Sequence, residues 1–340
     1  LPKMSDVAKK AGVALSTVSY AINGTRSISE ETRQRVFAAM EELGFKPNAL
    51  ARGLASKRSH IIALLFPVIE RGLGFTEMEF VTNATEAALT LGYNLVLWSS
   101  AMDTVELRAL IQQELVDGVV VMEVHRHDER VKLLKEIGMP FTLIGRCDNN
   151  DGINFTDIDF HKTVFDAVKY LAELGHEKIC FLNQSEQAYN EEYGPVWRTQ
   201  TSFEQITSEF GMQTISRFCR SNTMAGYETM QELLDSHADL TAMVAMNERA
   251  IPGIIQAITD RGWRIPDDFS IIVIVSSERI AEMVIPNLTT SDSPSSEMGR
   301  LGVQSLIQML EKENPVVQQE LIPCHLVIRG STAPKNILVH

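Results

Sequence analysis

Apolar residues recur at two different spacings along this chain of 340 residues. In the first part of the chain they fall three and four apart, the spacing of one face of a helix. Ser5 is placed to cap a first helix with Val7, Ala8 and Ala11 on one face, and Gly12 suits the left-handed turn that would end it. A second helix is expected from Leu15 or Ser16, with Val18 and Ile22 packed inward and Ser16, Tyr20 and Asn23 on the opposite side. Asn23-Gly24 closes it. Ser29 opens a third helix, with Glu30 and Glu31 in the first turn, where the helix dipole favours acids, and with Val36, Met40 and Leu43 as its buried stripe before Gly44 and Pro47. Three short helices with a glycine turn between the first two predict a helix-turn-helix, whose second helix can enter a DNA major groove. A three-helix bundle without DNA function has the same pattern.

From Ile61 the period changes. Strand-like apolar runs at Ile61–Phe66, Asn94–Trp98, Gly118–Met122 and Phe141–Ile144 alternate with helical stretches at Phe75–Leu91, Val105–Leu115 and Arg130–Ile137. A second series has strands at Ile179–Leu182, Thr214–Phe218, Ala242–Ala245 and Ile271–Val275, with helices at Phe203–Phe210, Gly226–Leu234, Ala250–Arg261 and Met298–Glu311. The last of these is expected to return to the first half. The fold class is therefore α/β: an all-helical head, then two doubly wound parallel-sheet lobes with a cleft between their strand ends.

Charge divides the chain at the same place. Residues 1–60 hold ten Lys/Arg against five acids, +5, and the remainder holds 21 against 39, −18, giving the overall −13. A basic head on an acidic body fits a phosphate-binding module that the body does not share. The four cysteines, Cys147, Cys180, Cys219 and Cys324, lack paired spacing and are expected as reduced core residues. There is no run of eighteen apolar residues and no apolar block in the first thirty, so a cytoplasmic address and no membrane partner are expected. No phosphate loop, nucleophile turn or His-Glu-x-x-His helix occurs, which argues against an enzyme and calls for no cofactor or metal. His125, Arg126, His127, Asp128 and Glu129 read as a solvated charged loop.

The order Asp6-Val7-Ala8, Ala11-Gly12-Val13, Ser16-Thr17-Val18-Ser19, Asn23-Gly24, Thr32-Arg33 and Leu43-Gly44-Phe45-Lys46-Pro47-Asn48 resembles the signature of the lactose-repressor and galactose-repressor family. The resemblance continues into Ala51-Arg52-Gly53-Leu54-Ala55, which is similar to the family hinge helix that inserts a leucine into the minor groove. It implies base contacts at Leu15, Ser16 and Tyr20, contacts near phosphates at Thr17, Ser19, Asn23 and Ser29, and hinge contacts at Ala51 and Leu54. Two departures stand out. Tyr20 replaces a common Arg, which removes a bidentate guanine contact, and Ala14 replaces a capping Ser, which leaves the cap to Ser16.

The body also resembles the family's periplasmic-binding-protein-like domain, through Leu174-Gly175-His176, Met246-Asn247-Glu248, Pro266-Asp267-Asp268 and Pro286-Asn287-Leu288-Thr289-Thr290. His176 reads as a structural residue at a helix end. The implied division is a head over 1–47, a hinge over 48–60, and an effector and dimerisation domain over 61–340. Within that domain one lobe takes 61–160 and 291–328 and the other 161–290. Strand ends facing the cleft are expected to include Glu70, Ser99, Glu123, Arg146, Asn183, Asn247 and Ser276, with Arg198 entering from a helix start. Glu248 stands where the family has Asp, and Ser276-Ser277 replace a common acidic pair, so a sugar effector is not secured by analogy. The resemblance implies double-stranded operator DNA, a small-molecule effector and a second copy of the chain as partners. The tail after Val327 has no leucine heptads, so a dimer rather than a coiled-coil tetramer is expected. A free solute-binding protein would share the body but has no use for the basic head.

Overall fold

Each helix of the head buries a stripe of apolar residues. The computed structural model describes residues 2–23, 26–45, 58–66, 74–99 and 103–335. Helix α1 (Met4–Ala11) ends at Gly12, whose φ of 65° is left-handed and whose N–H donates to the Ala8 carbonyl. The chain then turns into α2 (Leu15–Asn23), and α3 runs over Glu30–Leu43. Val7, Ala8, Ala11, Val18, Ala21, Val36, Ala39 and Met40 form their shared core. Two expected caps are corrected. Lys3, not Ser5, precedes α1, and its N–H donates to Asp6 Oδ2 at 2.7 Å, so Ser5 lies within the helix. Ala14 supplies the first accepting carbonyl of α2, to Thr17 and Val18, so Ser16 lies inside the first turn rather than at the cap. Ser29 does cap α3, accepting from the Thr32 N–H at 3.3 Å.

The body alternates strand and helix. The first lobe contains β1 (Ile61–Leu65), α4 (Phe75–Thr90), β2 (Asn94–Trp98), α5 (Thr104–Ile111), β3 (Gly118–Val121), α6 (Glu129–Ile137), β4 (Phe141–Ile144) and β5 (Phe155–Ile158). The chain crosses into the second lobe through α7 (Phe160–Glu173), β6 (Lys178–Asn183), α8 (Glu186–Asn190), α9 (Gly194–Glu209), β7 (Gln213–Phe218), α10 (Thr223–Ser236) and β8 (Ala242–Ala245). It continues through α11 (Ile251–Asp260), β9 (Ser270–Ser276), α12 (Glu278–Ala281) and β10 (Thr289–Asp292). Then α13 (Ser295–Glu311) returns to pack on the first lobe, where Met298, Val303 and Leu306 join Ile62 and Leu64. Strands β11 (Gln319–Ile322) and β12 (His325–Val327) follow.

The two six-stranded sheets repeat one order, β2-β1-β3-β4-β5-β11 and β7-β6-β8-β9-β10-β12. All pairs are parallel except β10 with β12. Parallel sheets covered on both faces need strands that are apolar throughout, and Ile62, Ala63, Leu64 and Leu65 in β1 are all buried. Strand order reverses between β1 and β3 and between β6 and β8, and at such points loops diverge and leave a crevice. Three crossovers, after β5, β10 and β11, join the lobes. The last returns 325–327 to the second sheet, so the first lobe does not extend to 328. Antiparallel pairing of Thr290 with Val327 needs only the short link from β11. Helix α9 begins nine residues before the expected Phe203, because Pro195 sits in its first turn, where a missing N–H costs nothing. Among the described residues no helix is long and apolar enough to cross a membrane.

Candidate DNA-reading face and effector cleft

Helix α2 has two different sides. Val18 and Ala21 are buried against α1 and α3, while Leu15 is 52 % exposed, Ser16 is exposed, and Thr17, Ser19 and Tyr20 are half-buried. A leucine open to water at a helix start costs solvation free energy without repayment from the head's own core. The Arg26 guanidinium lies 5.9 Å from the Tyr20 ring centre, which holds a cation beside this face. Arg33 stands similarly over Phe37 at 5.8 Å. The Asn23 side chain, Ala51, Leu54 and Glu70 lie outside the described residues.

The cleft lies where the lobes face each other across their strand ends. It encloses a cavity of about 110 Å³. Apolar walls come from Phe80, Met122, Phe160, Met246 and Met298, and polar groups from Thr76, Glu123, Asp157, Asn247 and Glu248. Two lining residues carry backbone strain: Glu123 and Val275, at the ends of β3 and β9, each have φ near +54°. For a β-branched valine this is a costly conformation that the surroundings must impose. At Glu123 the imposing group is Arg130, which donates to the carbonyls of Met122 and Glu123 at 3.1 and 2.8 Å and pairs with buried Asp128 at 2.7 Å.

Two carboxyls face the cavity from opposite lobes. Glu248 accepts from the Thr76 hydroxyl of the first lobe at 2.9 Å and from the Ser276 hydroxyl of the second at 3.1 Å. Burial raises its pKa to about 7, with the neighbouring charge of Glu77 adding to the effect. The longer Glu248 thus reaches the serine that stands where an acidic pair was expected, and supplies a carboxyl there. Asp157, at the first crossover, is raised to about 6 by burial, against the opposing pull of Arg198 and Arg146. Those guanidiniums lie 3.8 and 3.4 Å from its Oδ2.

Of the expected cleft residues, Glu123 and Asn247 line this cavity. Asn247 is held there by donating to the Cys219 carbonyl at 2.8 Å. Arg146 and Arg198 stand behind Asp157, and Arg198 donates to the Arg146 carbonyl at 2.8 Å, tying helix α9 to the other lobe. Asn183 is buried against α9, donating to the Val196 carbonyl at 3.0 Å, and Ser276 stands behind Glu248. Ser99 is exposed and does not line the cavity. Thr76, Asp157, Phe160 and Glu248 were missed as cavity residues. Asp157 and Phe160 flank a crossover that strand periodicity alone does not reveal.

The loop expected to be solvated is instead a clasp between the lobes. His125 and Asp128 are buried, and His125 Nδ1 lies 2.7 Å from the Glu191 carbonyl. Arg126 stacks on Trp197 at 3.6 Å and pairs with Asp148 at 2.5 Å and Glu192 at 3.2 Å. At the opposite rim Arg249 pairs with Glu77 at 3.5 Å. Far from the cleft, His176 is buried beside the end of α7, with Nδ1 2.9 Å from Thr241 Oγ1 and Nε2 3.1 Å from the Ala333 carbonyl, and burial lowers its pKa. All four cysteines are free and buried.

Comparison with known proteins matches residues 3–48 to bacterial regulatory proteins of the lacI family and residues 168–332 to the periplasmic binding protein-like domain. The chain is 31% identical over 341 residues to the HTH-type transcriptional regulator DegA of Bacillus subtilis, covering 97% of this chain and 98% of that protein. It is 28% identical over 334 residues to catabolite control protein A of Priestia megaterium, covering 96% and 98%. Its fold superposes on the lac repressor dimer solved with operator and the anti-inducer ONPF, with a TM-score of 0.81, 24% identity, and coverage of 98% and 99%.

Proposed function

The chain belongs to the lacI family of bacterial regulatory proteins, and on that premise we propose that this DNA-binding transcriptional regulator is a repressor whose operator affinity is set by a small polyhydroxylated ligand in the inter-lobe cleft. It is not an enzyme. The observation that carries the reading is the two-sided α2: a core face, Val18 and Ala21, that completes the head and an outward face on which Leu15 and Ser16 stand exposed.

Residues 1–47 act as the reading head and 48–60 as a hinge, with Ala51 and Leu54 at the minor groove and Asn23 and Ser29 near phosphates. Tyr20 takes an Arg position, so its base contact is a single hydroxyl bond or an apolar contact to a thymine methyl. Two copies place two α2 helices one helical turn apart on a near-palindrome. The dimer face runs along β2, which among the described residues pairs only with β1 and exposes Val96 and Leu97, beside α4 with its exposed Phe75 and Met78. The protein works in the cytoplasm, where its DNA is.

In the cleft, carboxyl, amide and hydroxyl groups alternate with the apolar faces of Phe80 and Phe160, which suits a sugar ring with its C–H faces and hydroxyl rim. A ligand that touches Glu123 and Asp157 of one lobe and Asn247 and Glu248 of the other binds the closed lobes best and so biases the hinge. Selection from randomised duplex DNA tests the reading. The expected product is one near-palindromic site, and selection that enriches no sequence removes it.

A further inference from the structure

We infer that closure of the two lobes is controlled by a proton on Glu248, so that acid holds the cleft shut and alkali releases it. The inference needs lobes that open and close, and it does not depend on which ligand the cleft takes.

Two consecutive residues of the second lobe meet two consecutive residues of the first. Glu248 accepts at Oε2 from the hydroxyls of Thr76, in the first turn of α4, and Ser276, at the end of β9. Beside it Arg249 pairs with Glu77 at 3.5 Å. Opening the lobes parts both contacts and lets water reach a carboxyl that is otherwise enclosed. The charged groups around Glu248 come from every side of the cavity. Among the described residues that line it, α4 contributes Glu77, the chain after β3 contributes Glu123, β5 contributes Asp157, and Arg249 is the basic one. Arg249 is shared with Glu77, while the guanidiniums of Arg146 and Arg198 lie against Asp157. Ionising Glu248 therefore adds a charge, out of reach of water, to walls that are already acidic.

In the closed form burial sets the pKa of Glu248 at about 7, outweighing the two hydroxyl donors, which favour the ionised carboxyl. In the open form water returns and Glu77 withdraws, so the value falls back toward the ordinary 4.5. The closed form thus holds the extra proton. Closure is fully favoured below the lower value and weakens as pH rises through the upper one.

The clasp at the opposite rim supplies the readout. Two backbone hydrogen bonds cross the lobes there, from the Arg126 N–H to the Glu192 carbonyl at 3.0 Å and from the Gly194 N–H to the Val124 carbonyl at 3.2 Å. Exchange of those amides reports opening. It is measured on the intact chain by mass spectrometry between pH 5.5 and 8 and corrected for the intrinsic rate at each pH. Protection is expected to fall at least about fivefold across that range in the wild type. Glu248→Gln keeps an acceptor oxygen and cannot ionise, so it is expected to lose most of the fall. Glu77→Gln removes the facing acid and is expected to move the midpoint of the fall to lower pH. A flat wild-type profile overturns the inference. So does an equal fall in Glu248→Gln, which would assign the titration to Asp157 or to the clasp's own His125 and His127, or a midpoint that Glu77→Gln leaves in place. Operator affinity over the same range separates this inference from the function proposed above, since residues 1–59 hold no histidine to titrate there. Closure that follows pH while operator affinity stays constant upholds the proton on Glu248 and removes the cleft from control of the hinge.

Discussion

Glu248 joins the lobes through a carboxyl whose pKa burial raises to about 7, with Thr76 and Ser276 donating to it and Glu77 and Arg249 the charged neighbours that act on it. Its folded pKa of about 7 lies above the ordinary 4.5, so the folded state binds the extra proton and stability falls as pH rises from the lower value to the upper one. Across that window the loss is about 3 kcal/mol at most. Glu248→Gln keeps an acceptor without the charge. The variant is expected to flatten the decline in melting temperature between pH 5 and 7, leaving a smaller slope from Asp157. Parallel profiles for the two proteins would remove Glu248 from this role. At the other end of the chain, Tyr20→Ala is expected to weaken the selected operator by about 1–3 kcal/mol while barely changing affinity for scrambled duplex. Anisotropy titrations against both duplexes check this, and equal losses on both would make Tyr20 a backbone contact.

Helices α10 and α11 come closest at two glycines. A methyl at Gly253 would lie 1.8 Å from the Thr223 carbonyl oxygen, and one at Gly226 would lie 2.2 Å from that of Ala250. Backbone cannot yield as a flexible side chain does, so Gly253→Ala is expected to destabilise the second lobe by about 1–3 kcal/mol or more. A urea midpoint unchanged from wild type contradicts that packing. At this scale the sequence was most readable where periodicity is strong. The strands Asn94–Trp98, Phe141–Ile144 and Ala242–Ala245 lie where their apolar runs end. It was least readable at β5, β11 and β12, where short strands with polar members such as Phe155–Ile158 are stabilised by partners far away in sequence. The same cause hid part of the cleft. Asp157, Phe160 and Thr76 reach the cavity through crossovers and a helix start, whereas Glu123 and Asn247 follow directly from strand ends.

The whole molecule combines a DNA-reading head with an effector body. An edge strand that shows Val96 and Leu97 to water invites pairing, and a second copy of the chain is its proposed partner. Leu97→Asp places a charge on that face and is expected to give monomers by sedimentation velocity, with operator affinity falling at least tenfold because one head must bind alone. A dimer unaffected by the change places the interface elsewhere. The acidic body, −18 beyond residue 60, repels DNA, so specific affinity depends on the +5 head. The most direct test is therefore the affinity of the intact chain for its selected duplex and for a scrambled one, measured by fluorescence anisotropy at 50 and 200 mM salt. The account predicts at least about a thousandfold preference for the selected site and a fall of roughly a hundredfold or more between the two salt concentrations. Equal affinity for both duplexes would contradict it, because the outward face of α2 would then read no sequence.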